Sequence, residues 1–481
     1  MTEPPDDLDT WLARDVQPLA PRPGTFERIH RRARRRKLNQ ALAAAAGAVV
    51  VIAGAVLIPA AATGLLSGGG SGPAGPAAAG GHSSTPVTSS SAPPSVSASS
   101  SGPVAGSPGQ SSTGLSATTS GAPAPAGFQP TSITMISNSI GAVIGQAGTP
   151  GHCGPPVAAD CTSLAGTSDY GTSWYGVSAP VTPAPDGGTG VSQLRFLNLS
   201  DGWAYGPALY ATADGGRHWT VVPTFGLRVT ALEAAGNRAF VLLASCRGSG
   251  PAYAGDCQTF SLYSAAAGAA TLQQVPLSIP GALQAGALGT ASQAWSASLA
   301  IKGNAASPDN GTGYLYAPSG DILSGPVGGG AWSYAGKAPC APGGTAGSGA
   351  PQGGELAVGA GVLLLDCPAP GAAGPGQLWE SADGAQWDKV AAPGGTGEPR
   401  SLAATSAGRV VLATTTGILS VTLPDPGAWH SAPVAGGVPA GGFSYVGMTS
   451  PAQGVALPAN AALGEVFVTR DGGQTWAPHQ V

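Results

Sequence analysis

Residues Thr212 to Trp219 read TADGGRHW, and three other stretches nearly repeat them: TSDYGTSW from Thr167 to Trp174, TRDGGQTW from Thr469 to Trp476, and the shorter SADGAQW from Ser381 to Trp387. Each predicts a turn between two strands. Thr167, Thr212, Ser381 and Thr469 open the boxes. The carboxylates of Asp169, Asp214, Asp383 and Asp471 are placed to accept hydrogen bonds from turn amides. Gly171, Gly216 and Gly473 supply the positive φ that a tight turn needs. Trp174, Trp219, Trp387 and Trp476 carry the following strand into a core. The chemistry is that of hairpins, and these aspartates are expected to be structural.

The period extends beyond the four boxes. Tryptophans stand at the start of a hairpin strand at Trp174, Trp219, Trp332, Trp387, Trp429 and Trp476, and the double-length gap after Trp219 holds TLQQVP, with Leu272 in the tryptophan position. Seven positions result, about 50 residues apart, a spacing that suits a four-stranded propeller blade. A second series, of small-residue turns each followed by an apolar strand, runs in phase: SNSIGAVIG from Ser137, LSDGWAYG from Leu199, AAGNRAFVLL from Ala234, TASQAWSA from Thr290, VGAGVLLL from Val358, TSAGRVVLAT from Thr405 and SPAQGVALP from Ser450. Short apolar runs bounded by Gly, Ser, Asn and Pro are strand signals, and nothing after residue 70 has a sustained helical period. The expected fold class is all-β, a seven-bladed propeller over residues 129–481, with six and eight blades as the rival counts.

These motifs resemble the Asp-box, or BNR, repeat. The pairing of a GWAYG-like strand with a TADGGRHW-like hairpin is most similar to propellers of the photosystem II assembly and stability factor family, and sialidase-like propellers share the box. The resemblance covers roughly residues 130 to 481 and implies a fold, since unrelated functions share it. It also places the boxes at the blade periphery. A sialidase would need a clamp of three arginines with a first member near the opening strand of blade one, and no arginine occurs there. The acidic body, in which arginine is scarce, offers no evident basic patch either, so the assembly-factor role is not carried over.

Composition divides the chain further. Residues 1–40 hold nine of the 20 Lys and Arg residues and a net charge of +3, while the remainder carries −7. Between them Ala41 to Leu66 runs 26 residues without a charge, and such a helix would span about 39 Å, enough for a bilayer. The preceding RRARRRK, Arg31 to Lys37, would be held in the cytoplasm. The expected organisation is a cytoplasmic basic head at 1–40, a transmembrane helix at 41–66, a linker at 67–128 and the propeller at 129–481. A cleaved signal peptide is the competing reading of the apolar stretch. The linker is almost wholly Gly, Ser, Thr, Ala and Pro, a composition that cannot bury a core. Arginine outnumbers lysine by 16 to 4, as expected from a GC-rich bacterial genome.

All six cysteines fall in the exported body and pair by proximity as Cys153 with Cys161, Cys246 with Cys257, and Cys340 with Cys367, one of the fifteen possible connectivities. None has the spacing of a structural zinc site. No metalloprotease, nucleophile-elbow, phosphate-loop or dinucleotide motif occurs, so no catalytic, metal or cofactor-binding residue is assigned. The expected function is a membrane-anchored binding or scaffold module, single-pass with its N-terminus inside, monomeric, and recognising an extracellular protein or glycan at the cell surface rather than nucleic acid. A tethered glycoside hydrolase, using a carboxylate pair that only folding would reveal, and a transmembrane sensor signalling through residues 1–40 are the alternatives.

Overall fold

The computed structural model describes residues 114–117, 121–147, 161–183, 185, 189–246, 257–278, 298–303, 310–317, 319–340, 354–367, 376–390, 397–423 and 429–481. They form seven sheets. Blade one contains β1 (Phe128–Met135), β2 (Gly141–Ala147), β3 (Cys161–Thr167) and β4 (Tyr175–Val177); blade two contains β5 (Val191–Phe196), β6 (Gly202–Pro207), β7 (Leu209–Thr212) and β8 (Thr220–Val221). Blade three is β9 (Arg228–Ala235), β10 (Arg238–Cys246), β11 (Cys257–Ala266) and β12 (Gln273–Gln274). Blade four is five-stranded, with β13 (Leu277–Ser278) pairing in parallel with β17 (Trp332–Lys337), outside β14 (Ser298–Lys302), β15 (Thr312–Tyr316) and β16 (Asp321–Pro326). Blade five is β18 (Glu355–Gly359), β19 (Val362–Cys367), β20 (Gln377–Ser381) and β21 (Asp388–Lys389). Blade six is β22 (Pro399–Ala404), β23 (Arg409–Thr414), β24 (Gly417–Thr422) and β25 (His430–Ser431), and blade seven is β26 (Phe443–Met448), β27 (Gly454–Pro458), β28 (Glu465–Thr469) and β29 (Ala477–Gln480).

Each blade is a meander whose first strand touches the first strand of the next, from β1 through β5, β9, β14, β18 and β22 to β26. Apolar residues of blade seven close the ring: Val455, Leu457, Val466 and Val468 pack with Phe128, Ile133, Val143, Ala165 and Trp174 of blade one. The second strands are the most buried, as β6, β19 and β27 show, because a sheet edge-packed between two neighbours is covered on both faces. This is why those strands read as continuous apolar runs rather than alternating ones.

The sequence repeat maps onto the blades with one difference. The boxes of Thr167, Thr212, Ser381 and Thr469 each join the third and fourth strands of a blade, and Leu272 precedes β12 as the box tryptophans precede their own strands. Six members of the second series lead into β2, β6, β10, β19, β23 and β27. The seventh, TASQAWSA, lies outside the described residues, and the second strand of blade four is instead β15, whose aromatic-rich TGYLY carries the same burial. Contacts with the propeller also begin upstream of residue 129. Leu115 is buried beside Leu164, Tyr175 and Val177, the Leu115 amide donates to Gly215 O, and Pro123 bridges to Tyr175.

The head at 1–40 and the apolar stretch at 41–66 lie outside the described residues, as does most of 67–128. Among the described residues no helix is long and apolar enough to cross a membrane. Of the three cysteine pairs, Cys246–Cys257 and Cys340–Cys367 are disulfides, while Cys153 lies outside the described residues.

Candidate functional site

A four-stranded meander sends its connections to alternate ends, and here the two ends differ in kind. One end carries the first-to-second and third-to-fourth turns, none longer than nine residues, and includes every box. The other carries the second-to-third turns and the links between blades. There the connections 148–160, 178–190, 279–297, 338–354 and 432–442 each run to eleven residues or more. Cys161, Cys246, Cys257, Cys340 and Cys367 all stand at this loop-bearing end.

The box end is tied down by its own hydrogen bonds. The Asp169 carboxylate accepts from the Thr172 amide at 3.1 Å, the Ser173 amide at 2.9 Å and the Ser173 hydroxyl at 2.6 Å, and the Gly171 amide donates to Thr167 Oγ1 at 3.0 Å. Asp214 accepts from the His218 amide and meets His218 Nδ1, with Gly216 donating to Thr212. Asp471 accepts from Gln474, Thr475 and the Thr475 hydroxyl, with Gly473 donating to Thr469. Asp383 accepts from Ala385, and Gly384 donates to Ser381. Burial by itself would raise the carboxyls of Asp169, Asp214 and Asp471, but these hydrogen bonds outweigh it and hold all three below the usual aspartate value.

The boxes also meet the preceding blade. A Cβ on Gly473, at φ +81°, would stand 3.1 Å from Val411 of blade six, and one on Gly216 would stand 3.2 Å from Val177 of blade one. Trp332, Trp476 and Trp174 are buried, whereas Trp219 and Trp387 are only half-buried. Trp219 Nε1 donates to Ser178 O of blade one and the ring packs edge-on against Phe196.

The chemistry that sequence reasoning did not find lies on the innermost strands. These strands are stitched around the ring by side chains that reach a backbone group of the next blade. Ser132 accepts from the Leu194 amide, Ser298 from the Leu356 amide, and Glu355 Oε2 from the Leu402 amide at 2.6 Å. Ser401 donates to Glu355 Oε1 and to Val446 O. The bonds set Ser132 beside Gln193, and Ser298, Glu355, Ser401 and Tyr445 beside one another in succession. Two residues further along each strand, Thr134 and Arg195 contrast with Ala300, Ala357, Ala403 and Gly447.

Arg195 Nη2 meets Glu233 Oε2 at 3.0 Å, joining blades two and three, with each side chain about a quarter exposed. Glu233 is the main reason the Arg195 guanidinium stays charged against its burial, and Tyr445 of blade seven hydrogen-bonds to it. Burial raises the Tyr445 hydroxyl, and Arg195 opposes that rise. Gly447 makes room: a Cβ there would stand 2.6 Å from the Tyr445 hydroxyl.

Toward the loop-bearing end, Glu355 and Asp366 face each other as direct partners on β18 and β19. Burial pushes the Glu355 carboxyl up to about 8; the Leu402 amide and Ser401 hydroxyl partly offset this, while Asp366 adds to it. Burial alone takes Asp366 up to about 7. Among the described residues its Oδ1 has no hydrogen-bond partner. Two carboxyls in this state hold a proton near neutrality and can serve as proton donor, proton acceptor or anionic partner. Among the described residues no group of three or more His, Cys, Asp or Glu is placed to hold a metal.

A sequence signal for these residues existed. In a chain with only 9% charged residues, Arg195, Glu233 and Glu355 each adjoin a leucine of an innermost strand. Their convergence needed the ring.

The fold and this inner ring together define a seven-bladed β-propeller with box turns at one end and a polar cluster on its innermost strands. No protein-family model and no curated protein matches the sequence. Solved structures of similar fold include YCF48 bound to D1 peptide, at 15% identity and TM-score 0.44, covering 73% of this chain and 95% of that one. They also include YCF48 from Cyanidioschyzon merolae, at 15% identity and TM-score 0.40, covering 59% and 83%. A third is the GH74 enzyme of Niastella koreensis, at 12% identity and TM-score 0.31, covering 71% and 55%. The likeness in each case is one of fold.

Proposed function

We propose that the protein is a membrane-tethered extracellular propeller that binds a macromolecular ligand, a protein or a glycan, through its loop-bearing end. The observation that carries this reading is the inequality of the two ends. The box aspartates are engaged in their own turns and the box end is short-turned throughout, whereas the opposite end gathers long connections and two disulfides. Binding residues are commonly carried on loops that a rigid scaffold positions. The apolar stretch at 41–66, the basic residues before it and the linker at 67–128 support tethering with the propeller outside the cell. In this reading the box residues are structural and the third cysteine pair is Cys153–Cys161.

A tethered hydrolase would rest on Glu355 and Asp366. Asp366 is only 5% exposed, which suits an acid buried behind a surface more than one that must touch a sugar.

The test places a photo-crosslinking residue on the intact chain at the cell surface. Phe225, 64% exposed at the loop-bearing end, serves as one site, and Thr172, in the blade-one box, as the other. Crosslinks to a partner or cell-wall glycan from position 225 and none from 172 support the reading. Crosslinks from 172 alone, or a propeller reached only by reagents inside the cell, overturn it.

A further inference from the structure

The chain upstream of β1 is held against the ring by contacts that lie outside the seven meanders. Gly114 and Leu115 are buried, and they pass over the box of blade two. A Cβ on Gly114 would stand 2.8 Å from Arg217 Cγ and 2.9 Å from Asp214 O, so only a glycine backbone comes this close. The Leu115 amide donates to Gly215 O at 2.8 Å. Its side chain packs instead with Leu164, Tyr175 and Val177 of blade one, and a Cβ on Gly166 would stand 3.0 Å from Leu115 Cδ2. One leucine thus joins two blades.

A second attachment lies nearer to β1. The Ser116 amide donates to the Tyr175 hydroxyl at 3.0 Å, the Gly176 amide donates to Ala122 O at 2.7 Å, and Pro123 bridges to Tyr175. The outer edge of β4, a strand of three residues, is therefore paired by this same chain, where an open edge would invite pairing from another. Residues 114–117 and 121–124 act as a strap on blade one. Its contacts come in sequence order, so a pull on the chain upstream of Gly114 loads Leu115 first, Ser116 next, and Ala122 and Pro123 last, each in turn. β1 is instead paired with β2 from Phe128 to Met135. Leu115 is the one large apolar side chain among the described residues of the strap, and a segment with so few buried contacts opens at a much smaller free energy than a core strand.

We propose that this strap is a releasable latch: tension on the chain upstream withdraws Leu115 from between blades one and two and then uncovers the β4 edge, while the ring stays closed. The inference rests on the reading that the protein is anchored upstream of the propeller and held by a ligand at the loop-bearing end, because a load between those two points must run through Gly114. Release adds residues 114–127 to the tether and frees the Gly176 amide and the surface of Leu164, Tyr175 and Val177 that Leu115 covers. Slackening lets the leucine return. No covalent bond changes, so the latch is reversible.

The test has two arms, both on the purified full chain. In hydrogen exchange the Leu115 and Gly176 amides should exchange at least about 100-fold faster than those of β2, through local opening. Leu115→Ser should speed Gly176 about tenfold further and leave β2 unchanged. In optical-trap pulling between the N-terminus and a handle at position 225, the expected trace has a reversible low-force step of at most about 50 Å, the extended length of residues 114–127. Leu115→Ser should abolish that step or lower its force. Exchange of Gly176 only by global unfolding, or a trace whose first step is the same in Leu115→Ser, overturns the proposal. Should the variant fail to fold, exchange of the unmodified chain decides. Hydrogen exchange needs neither anchor nor ligand, so its failure counts against the latch alone, whereas a propeller recovered from cells without its upstream chain counts against the tethered reading.

Discussion

Arg470 donates to Thr172 Oγ1 at 2.7 Å across 298 positions of sequence, and its guanidinium lies 5.5 Å from the centre of the Tyr170 ring. The box of the last blade thus touches the box of the first. The contact is exposed, so its energy is small and closure depends on the apolar seam beneath it. We expect Arg470→Ala to cost less than about 1 kcal/mol and Leu457→Ala, at a fully buried seam position, about 2 to 5 kcal/mol. Urea unfolding of the two variants checks the order, and a larger loss for Arg470→Ala would contradict it.

The boxes differ in how deeply they anchor. Trp476 is 1% exposed and Trp219 half-buried, so Trp476→Ala should cost about 3 to 5 kcal/mol and Trp219→Ala distinctly less. Gly473→Ala, at φ +81° and close to Val411, should lose about 1 to 2 kcal/mol from the left-handed backbone alone. Thermal unfolding would reveal any box position that tolerates these changes without loss.

Two sets of carboxyls pull the pH dependence in opposite directions. Glu355 and Asp366 hold their protons more tightly folded than unfolded, so the stability they allow is greatest at low pH and falls as pH rises from about 4 to about 8. Asp169, Asp214 and Asp471 are held below the ordinary value, so their contribution is present above about pH 4 and lost as pH falls further. The midpoint of unfolding should therefore peak at mildly acidic pH, and Glu355→Gln should flatten the decline toward pH 8. A midpoint that climbs steadily from about pH 5 to pH 8 is incompatible with an uncompensated buried pair.

Reduction should loosen the loop-bearing end before the box end. Cys246–Cys257 and Cys340–Cys367 close loops there, and loss of one native disulfide typically costs about 2 to 4 kcal/mol. Hydrogen exchange with and without reductant reads the effect by residue. Faster exchange at β7 and β28 ahead of β11 and β19 would be the contrary outcome. Non-reducing peptide mapping checks the pairs, including the expected Cys153–Cys161.

Blade number, box placement and two cysteine pairs were legible because each is written locally. A turn needs Asp, Gly and Trp within eight residues, and Leu272 keeps phase even where the tryptophan is missing. Blade four was misread at its second strand, since TASQAWSA, the neighbour of the true signal, imitated the pattern, while PDNG from Pro308 to Gly311, the turn signal that leads into TGYLY, was passed over. Leu115 escaped notice because a lone leucine in a Gly, Ser and Pro stretch carries no periodicity.

The sequence by itself determined the repeating unit, since hairpin chemistry and strand burial act between near neighbours. Only the tertiary structure decided that Arg195, Glu233, Glu355 and Tyr445, spread over 251 positions, meet on the innermost strands, and that Asp366 stands opposite Glu355 on the adjoining strand. Closing the ring brings one residue from each of several blades to a common axis, and no local pattern records which of them will share it.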